Sequence, residues 1–150
     1  MSIPPILFVH LGPEIPSYMK DTVRQARKWN PNAEIVCIAE QAHQFDASEV
    51  WFRLSDIPDT EQYARFKETT ILDDYFRNGF WRYTTERLFV IDSWMKWRQL
   101  EECFHLENDN TLYVNLEDIL PQLRKKSRGI LAPIHGGAKE NYFRICFSVL

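Results

Sequence analysis

The chain has 150 residues, of which 45% are hydrophobic and 14% aromatic, and its formal net charge is −3. This length and composition are typical of one globular domain and exclude a disordered chain. The sequence has no sustained basic stripe, which argues against binding through phosphate neutralisation, so we expect no nucleic-acid partner.

The cysteines and the two ends of the chain lead to expectations about the cellular compartment and about whether the domain is truncated. Cys37, Cys103 and Cys146 lie in apolar contexts without CxxC spacing, which is typical of buried thiols in a reducing compartment. The first apolar run lacks a basic region and is too short for a signal peptide or membrane span, so we expect a cytoplasmic protein without a transmembrane segment. The apolar run Tyr142–Leu150 ends the chain, from which we expect residues 1–150 to be a single, truncated domain.

The first forty residues predict a βαβ unit. Pro5–Leu11 contains the continuous apolar run Ile6–Val9, which is typical of a buried parallel strand. Apolar residues then recur at helical spacing from Ile15 and end at Trp29. Glu34–Ala39 is predicted to be a second buried strand, which completes the unit.

Further elements follow in the middle of the chain. A third, shorter strand is predicted at Val50–Leu54 and a helix at Glu61–Tyr75. Phe80–Trp97 is the strongest helix candidate, and its apolar positions cover most of the circumference, which predicts a buried helix. For Trp81, Trp94 and Trp97 on this helix, core packing is preferred over sugar stacking.

The last third of the chain continues the alternation of predicted strands and helices. Cys103–Leu106 is predicted to be a strand and Leu116–Lys126 a helix with Asn115 as its N-cap. Pro121 is expected to interrupt that helix. Gly129–Pro133 is predicted to be another strand.

The whole pattern predicts an α/β fold, Rossmann-like, with a mostly parallel sheet flanked by helices. Ligands of such sheets bind beyond the carboxyl ends of the strands. That rule selects the loop His10-Leu11-Gly12 and the loop Glu107–Asn110. His10 is alternatively a hydrogen-bonded core histidine, and Gly12 a tight turn. For Glu40, after the second strand, an ordinary exposed loop residue is preferred over a contact to a ribose or base.

The loop Glu107-Asn108-Asp109-Asn110 has the clearest chemistry. Two carboxylates two residues apart project the same way in extended geometry. Magnesium and manganese are often held by one or two carboxylates together with substrate phosphates, and such a metal offsets the charge of a leaving diphosphate. A solvated turn is the alternative, since Asn-Asp-Asn is also a good turn sequence.

Two blocks of the chain resemble GT-A-type glycosyltransferases. Ile6–Gly12, followed by a helix, Trp29-Asn30-Pro31 and Ile35–Ile38, is similar to the opening of that family. Glu86–Ile91 on a helix, followed by Phe104–Tyr113, is similar to its D-x-D region. The resemblance covers the chain from residue 5 onwards, with Glu107 standing where the family has the first Asp.

The resemblance implies a nucleotide-diphospho-sugar transferase that transfers a sugar to a glycan or lipid-linked acceptor, as in polysaccharide biosynthesis. It implies that Asp109 and Glu107 hold Mn²⁺ or Mg²⁺ on the donor diphosphate. The donor contacts it implies are His10, Leu11, Gly12, Arg87 and Asn108. The acceptor and catalytic-base region of the family lies further along, so we expect the donor-binding half of an enzyme. A non-catalytic binding domain and a nucleotidyl transferase remain alternatives.

Two charged or titratable residues inside apolar segments need an explanation of their own. Arg87 lies in a nearly all-apolar helix, where a guanidinium needs a partner. That partner is either the donor phosphates or an acid such as Asp92 or Glu86. His105 lies within an apolar strand, and a structural role is preferred for it over a ligand contact.

Overall fold

The computed structural model describes residues 3–41, 43–46, 48–126 and 129–130, and the backbone of residues 146–148. A five-stranded sheet forms the centre of the domain, in the order β3-β2-β1-β4-β5. The strands are β1 (Ile6–His10), β2 (Ile35–Ala39), β3 (Val50–Arg53), β4 (Glu102–Leu106) and β5 (Cys146–Ser148). Strands β1 to β4 are parallel to one another, and β5 is antiparallel to β4. The α/β class and the mostly parallel sheet are therefore confirmed, and the architecture is compatible with a Rossmann-like fold.

Four α-helices flank the sheet. They are α1 (Met19–Trp29), α2 (Glu61–Thr69), α3 (Phe80–Trp97) and α4 (Leu116–Lys126). Helix α2 is shorter than predicted: it ends at Thr69 and not at Tyr75. Of the predicted strand Gly129–Pro133, residues 131–133 lie outside the described residues, and Gly129 and Ile130 are not in a strand.

The core has two layers because alternate residues of each buried strand point to opposite faces. On one face, side chains such as Phe8, Cys37 and Phe104 pack with α1 and α4. On the other face, Leu7 and Ile38 pack with α2 and α3. Helices on both faces explain why β2 is apolar at every position and β1 at every position except His10 at its end. The described part of the chain has no helix that is long and apolar enough to cross a membrane.

Helix α3 is not buried all round, so that prediction is wrong. It packs against one face of the sheet only, which buries a single stripe of the helix. The buried residues of α3 are Glu86, Val90, Ile91, Ser93, Trp94 and Met95. Phe80, Trp81, Leu88 and Trp97 are exposed. The apolar composition of α3 therefore predicted a larger buried surface than the sheet and its neighbours cover.

Helix α4 continues through Pro121, contrary to the predicted interruption. A proline at this position removes the N–H that would bond the carbonyl four residues earlier, at Glu117. Both residues are exposed, so that carbonyl faces solvent and its lost partner costs little. Asn115 is confirmed as the N-cap, because its Oδ1 accepts from the Glu117 N–H at 2.9 Å.

Candidate functional site

The predicted site loops meet where the strand order reverses, between β1 and β4. In open α/β sheets this is the position at which ligands bind, outside the carboxyl ends of the strands. Phe8 of β1 pairs with Leu106 of β4, so the same register two residues on brings His10 beside Asn108. Asn108 Nδ2 lies 3.0 Å from His10 Nδ1.

The His10–Asn108 contact fixes the protonation of the imidazole. An amide nitrogen only donates, so His10 Nδ1 accepts, and a neutral ring carries its proton on Nε2. Burial, joined by the positive charge of Arg87, lowers the pKa of His10, while backbone contact at Glu14 and the charge of Glu40 oppose the shift. His10 Nε2 and Asn108 Oδ1 are both buried and have no hydrogen-bond partner among the described residues. The two contacting residues at the strand reversal thus each keep one buried polar atom without a hydrogen-bond partner among the described residues.

The loop after β4 is a turn. The Asn110 N–H donates to the Glu107 carbonyl at 3.0 Å, and the Thr22 hydroxyl of α1 donates to the Asn108 carbonyl at 2.8 Å. The extended geometry assumed for the two carboxylates is therefore wrong, because the backbone reverses between Glu107 and Asp109. Asp109 is exposed on this turn.

The loop after β1 is closed by an acid from the neighbouring strand. Glu40 is an exposed residue of the loop after β2, as preferred, and its Oε1 also accepts from the Gly12 N–H at 3.1 Å. Gly12 has φ +129°, a backbone conformation that residues with a side chain rarely adopt. Leu11, the third predicted donor contact of this loop, is buried.

Tyr83 of α3 is the site residue that the sequence analysis missed. A Cβ on Gly79 would lie 2.8 Å from Tyr83 Cε2, and a Cβ on Gly12 would lie 3.8 Å from the same atom. The ring therefore lies between the start of α3 and the loop after β1. Tyr83 and Arg87 are four residues apart on α3, so they share one face of that helix, and Gly79 is its N-cap. That spacing was the available signal.

Arg87 pairs with Glu107, not with either acid that the sequence suggested. Arg87 Nη1 lies 3.3 Å from Glu107 Oε1. Asp92 pairs instead with Lys96, and Glu86 accepts from the Tyr63 hydroxyl at 2.7 Å. The structure thus joins a predicted donor-binding residue to a predicted metal ligand.

His105 is a structural histidine, as preferred. It is 3% exposed, and its Nδ1 lies 3.0 Å from the Leu7 carbonyl, so Nδ1 carries the proton. Burial, assisted by the charge of Arg87 and opposed by the bond to Leu7, lowers the pKa of His105 to about 4. The ring is therefore neutral in the folded protein.

This lowered pKa predicts a loss of stability in acid. Between pH ~6.5 and pH ~4 the unfolded chain protonates His105 while the folded chain does not, so the free energy of unfolding falls as the pH falls. The contribution of His105 to that fall is at most about 1.4 kcal/mol per pH unit. Urea unfolding across this range should show a shallower fall for His105→Gln, which can still donate to Leu7 but does not titrate. Equal slopes for the two proteins would show that folding does not lower the pKa of His105.

The residues fit a divalent cation poorly. In the part of the chain that the structure describes, no group of three or more His, Cys, Asp or Glu side chains is placed to hold a metal. The Glu107 carboxylate already faces the Arg87 guanidinium. Two like unit charges 4 Å apart repel by about 4 kcal/mol at an effective dielectric constant of about 20, and a divalent ion more. Glu107 is poorly placed to hold a cation while it pairs with Arg87; Mn²⁺ or Mg²⁺ binding by Asp109 and Glu107 together with substrate phosphates stays a prediction.

In the described part of the chain, two open clefts flank the end of β2. One, of about 580 Å³, is lined by residues 13–17 of the loop after β1, by Lys20 of α1, by Gln41 and by residues 43–45. The other, of about 540 Å³, is lined by Glu40, Lys67 and residues 54–59. Both volumes are within the range of small-molecule sites. No protein-family model, curated protein or solved structure matches this chain.

Proposed function

We propose that this domain binds a nucleotide-diphosphate sugar and is the donor-binding half of a glycosyltransferase acting on a glycan or lipid-linked acceptor. The proposal rests on the Arg87 guanidinium, which lies at the strand reversal. Among the described residues, its only ion pair is with Glu107, at 3.3 Å. Such a group is suited to recognising phosphate oxygens through two parallel hydrogen bonds.

Neighbouring groups give the rest of a donor site. Gly12, with no side chain, allows a ligand to approach the backbone of the loop after β1. The cleft of about 580 Å³ opens beside that loop and is large enough for a nucleoside. The unsatisfied atoms of His10 and Asn108 offer hydrogen bonds to a polar ligand. In this proposal the chain's residues bind and orient the donor, and the transferred sugar goes to an acceptor hydroxyl.

Loss of the Arg87 side chain tests the proposal. Arg87→Ala is expected to weaken the binding of a nucleotide-diphosphate sugar by roughly 10- to 100-fold, the effect of removing a charge-assisted hydrogen bond. Calorimetric titration with a panel of uridine, guanosine, adenosine and cytidine diphosphate sugars measures it. Arg82→Ala is the matched control, because Arg82 is on the same helix but pairs with Asp74 at 2.8 Å. A wild-type protein that binds no member of the panel, or an Arg87→Ala variant that binds as the wild type does, would refute the proposal.

A binding domain without transfer activity is the second candidate. The engagement of Glu107 by Arg87 favours it, because a carboxylate in an ion pair is poorly placed to assist departure of the diphosphate through a metal. Binding of a donor without its hydrolysis or transfer would support this candidate. Preference for nucleoside triphosphates over sugar diphosphates would instead indicate a nucleotidyl transferase.

A further inference from the structure

We infer that Glu107 is a displaceable counter-ion of Arg87, and that the guanidinium binds a diphosphate group in its place without a divalent cation. The inference deepens the proposed function, since the diphosphate is that of the proposed donor. It assigns Glu107 a role opposite to that of a metal ligand.

The first support is the looseness of the Arg87–Glu107 pair compared with the two bidentate arginine pairs among the described residues. The longer arginine contacts, of 3.5, 3.6 and 4.0 Å, belong to arginines that are more exposed than Arg87. Arg82 Nη1 contacts both carboxylate oxygens of Asp74, at 2.8 and 2.9 Å. Arg124 Nε lies 3.1 Å from both oxygens of Glu102. Arg87 makes a single contact of 3.3 Å, longer than the 2.7–2.9 Å typical of charge-assisted hydrogen bonds. It is the one polar contact of this side chain among the described residues.

The second support is the contrast in burial between the two partners. The Arg87 side chain is 18% exposed and that of Glu107 is 46% exposed. A guanidinium has five donors in a fixed fork, and among the described residues Arg87 has a single ionic contact, to Glu107. Glu107 lies on a turn at the surface and can move into water at little cost. The arrangement holds the cation in place and leaves the anion exchangeable.

The third support is the charge around Arg87. Burial, and Arg87 itself, lower the pKa of both His10 and His105, so both nearby imidazoles are neutral. When Glu107 leaves, a positive charge remains beside the unsatisfied atoms of His10 and Asn108. A phosphate oxygen pair matches the guanidinium fork better than one carboxylate oxygen does. The ligand class that fits is a diphosphate.

The two roles of Glu107 predict opposite signs for one substitution. Glu107→Gln removes the competing charge, so anion binding to Arg87 should become tighter, by roughly two- to fivefold, the range for a partly exposed ion pair. If Glu107 held a metal, the same change would weaken metal-dependent binding.

The experiment is calorimetric titration with inorganic pyrophosphate, in EDTA and in manganese chloride, on the full chain. We expect the wild type to bind in EDTA, Glu107→Gln to bind more tightly, and Arg87→Ala to lose binding. Glu117→Gln is the matched control, since it makes the same change at an exposed glutamate outside the candidate site, and it should bind as the wild type does. Binding only with manganese, or weaker binding by Glu107→Gln, would overturn the inference, as would no binding in either buffer.

A parallel titration with nucleotide-diphosphate sugars separates this inference from the proposed function. Pyrophosphate binding with the expected pattern, together with no binding of any nucleotide sugar, would refute the proposed function and leave the role of Glu107 standing. Nucleotide-sugar binding that requires manganese and weakens in Glu107→Gln would refute the inference and leave the proposed function standing.

Discussion

Replacing Trp94 by alanine is expected to lower the free energy of unfolding by about 3–5 kcal/mol. Trp94 is 0% exposed and packs between α3 and the sheet with residues such as Leu7 and Ile38. Its ring also contacts Phe52 of β3, with 6.5 Å between the ring centroids. Alanine would leave a cavity where α3 covers the sheet. Urea unfolding followed by circular dichroism measures the loss.

Two further substitutions in α3 control for this result. Trp81 is 53% exposed, so Trp81→Ala should change stability by no more than about 0.5 kcal/mol. Trp94→Phe should cost less than Trp94→Ala, because it keeps an aromatic ring and removes Nε1, a buried donor without a partner among the described residues. Similar losses for Trp81→Ala and Trp94→Ala would show that α3 is covered on both sides.

The same tryptophans show how far sequence could predict the fold. Continuous apolar runs located β1, β2 and β4, because strands covered on both faces have no polar alternation. The same reasoning failed for α3, since an apolar residue on a helix is buried only where another element covers it. Trp94 and Trp97 are three residues apart, yet Trp97 is exposed. Sequence gives the helix, and the packing of the sheet decides which side is buried.

The candidate site, like the fold, could be predicted from the sequence only in part. The position of the loops at His10–Gly12 and Glu107–Asn110 was predictable, because parallel strands end at one edge of a sheet. The partner of Arg87 was not, since Glu107 is twenty residues away in sequence and only the pairing of β4 with β1 brings it close. Local spacing favoured Glu86 and Asp92 as partners, but both have other contacts.

Asn30→Ala is expected to lower the free energy of unfolding by about 2–4 kcal/mol. Asn30 is 1% exposed. Its Oδ1 accepts from the Leu116 N–H at 2.7 Å, and its Nδ2 donates to the Val114 carbonyl at 3.0 Å. Alanine would leave both backbone groups unpaired, and a buried polar group without a partner costs about 1–3 kcal/mol. Urea unfolding measures the change, with the exposed Asn32→Ala as the matched control.

The effect of Asn30→Ala should also reach the candidate site. The segment from Glu107 to Leu116 is anchored near both ends. Near its start, the Asn108 carbonyl accepts from the Thr22 hydroxyl of α1. At its end, the Leu116 N–H donates to Asn30, which follows α1. Loss of the second anchor should speed hydrogen exchange of the Leu116 amide more than that of amides in β1. If Asn30→Ala exchanged and unfolded as Asn32→Ala does, Asn30 would not be an anchor of this segment.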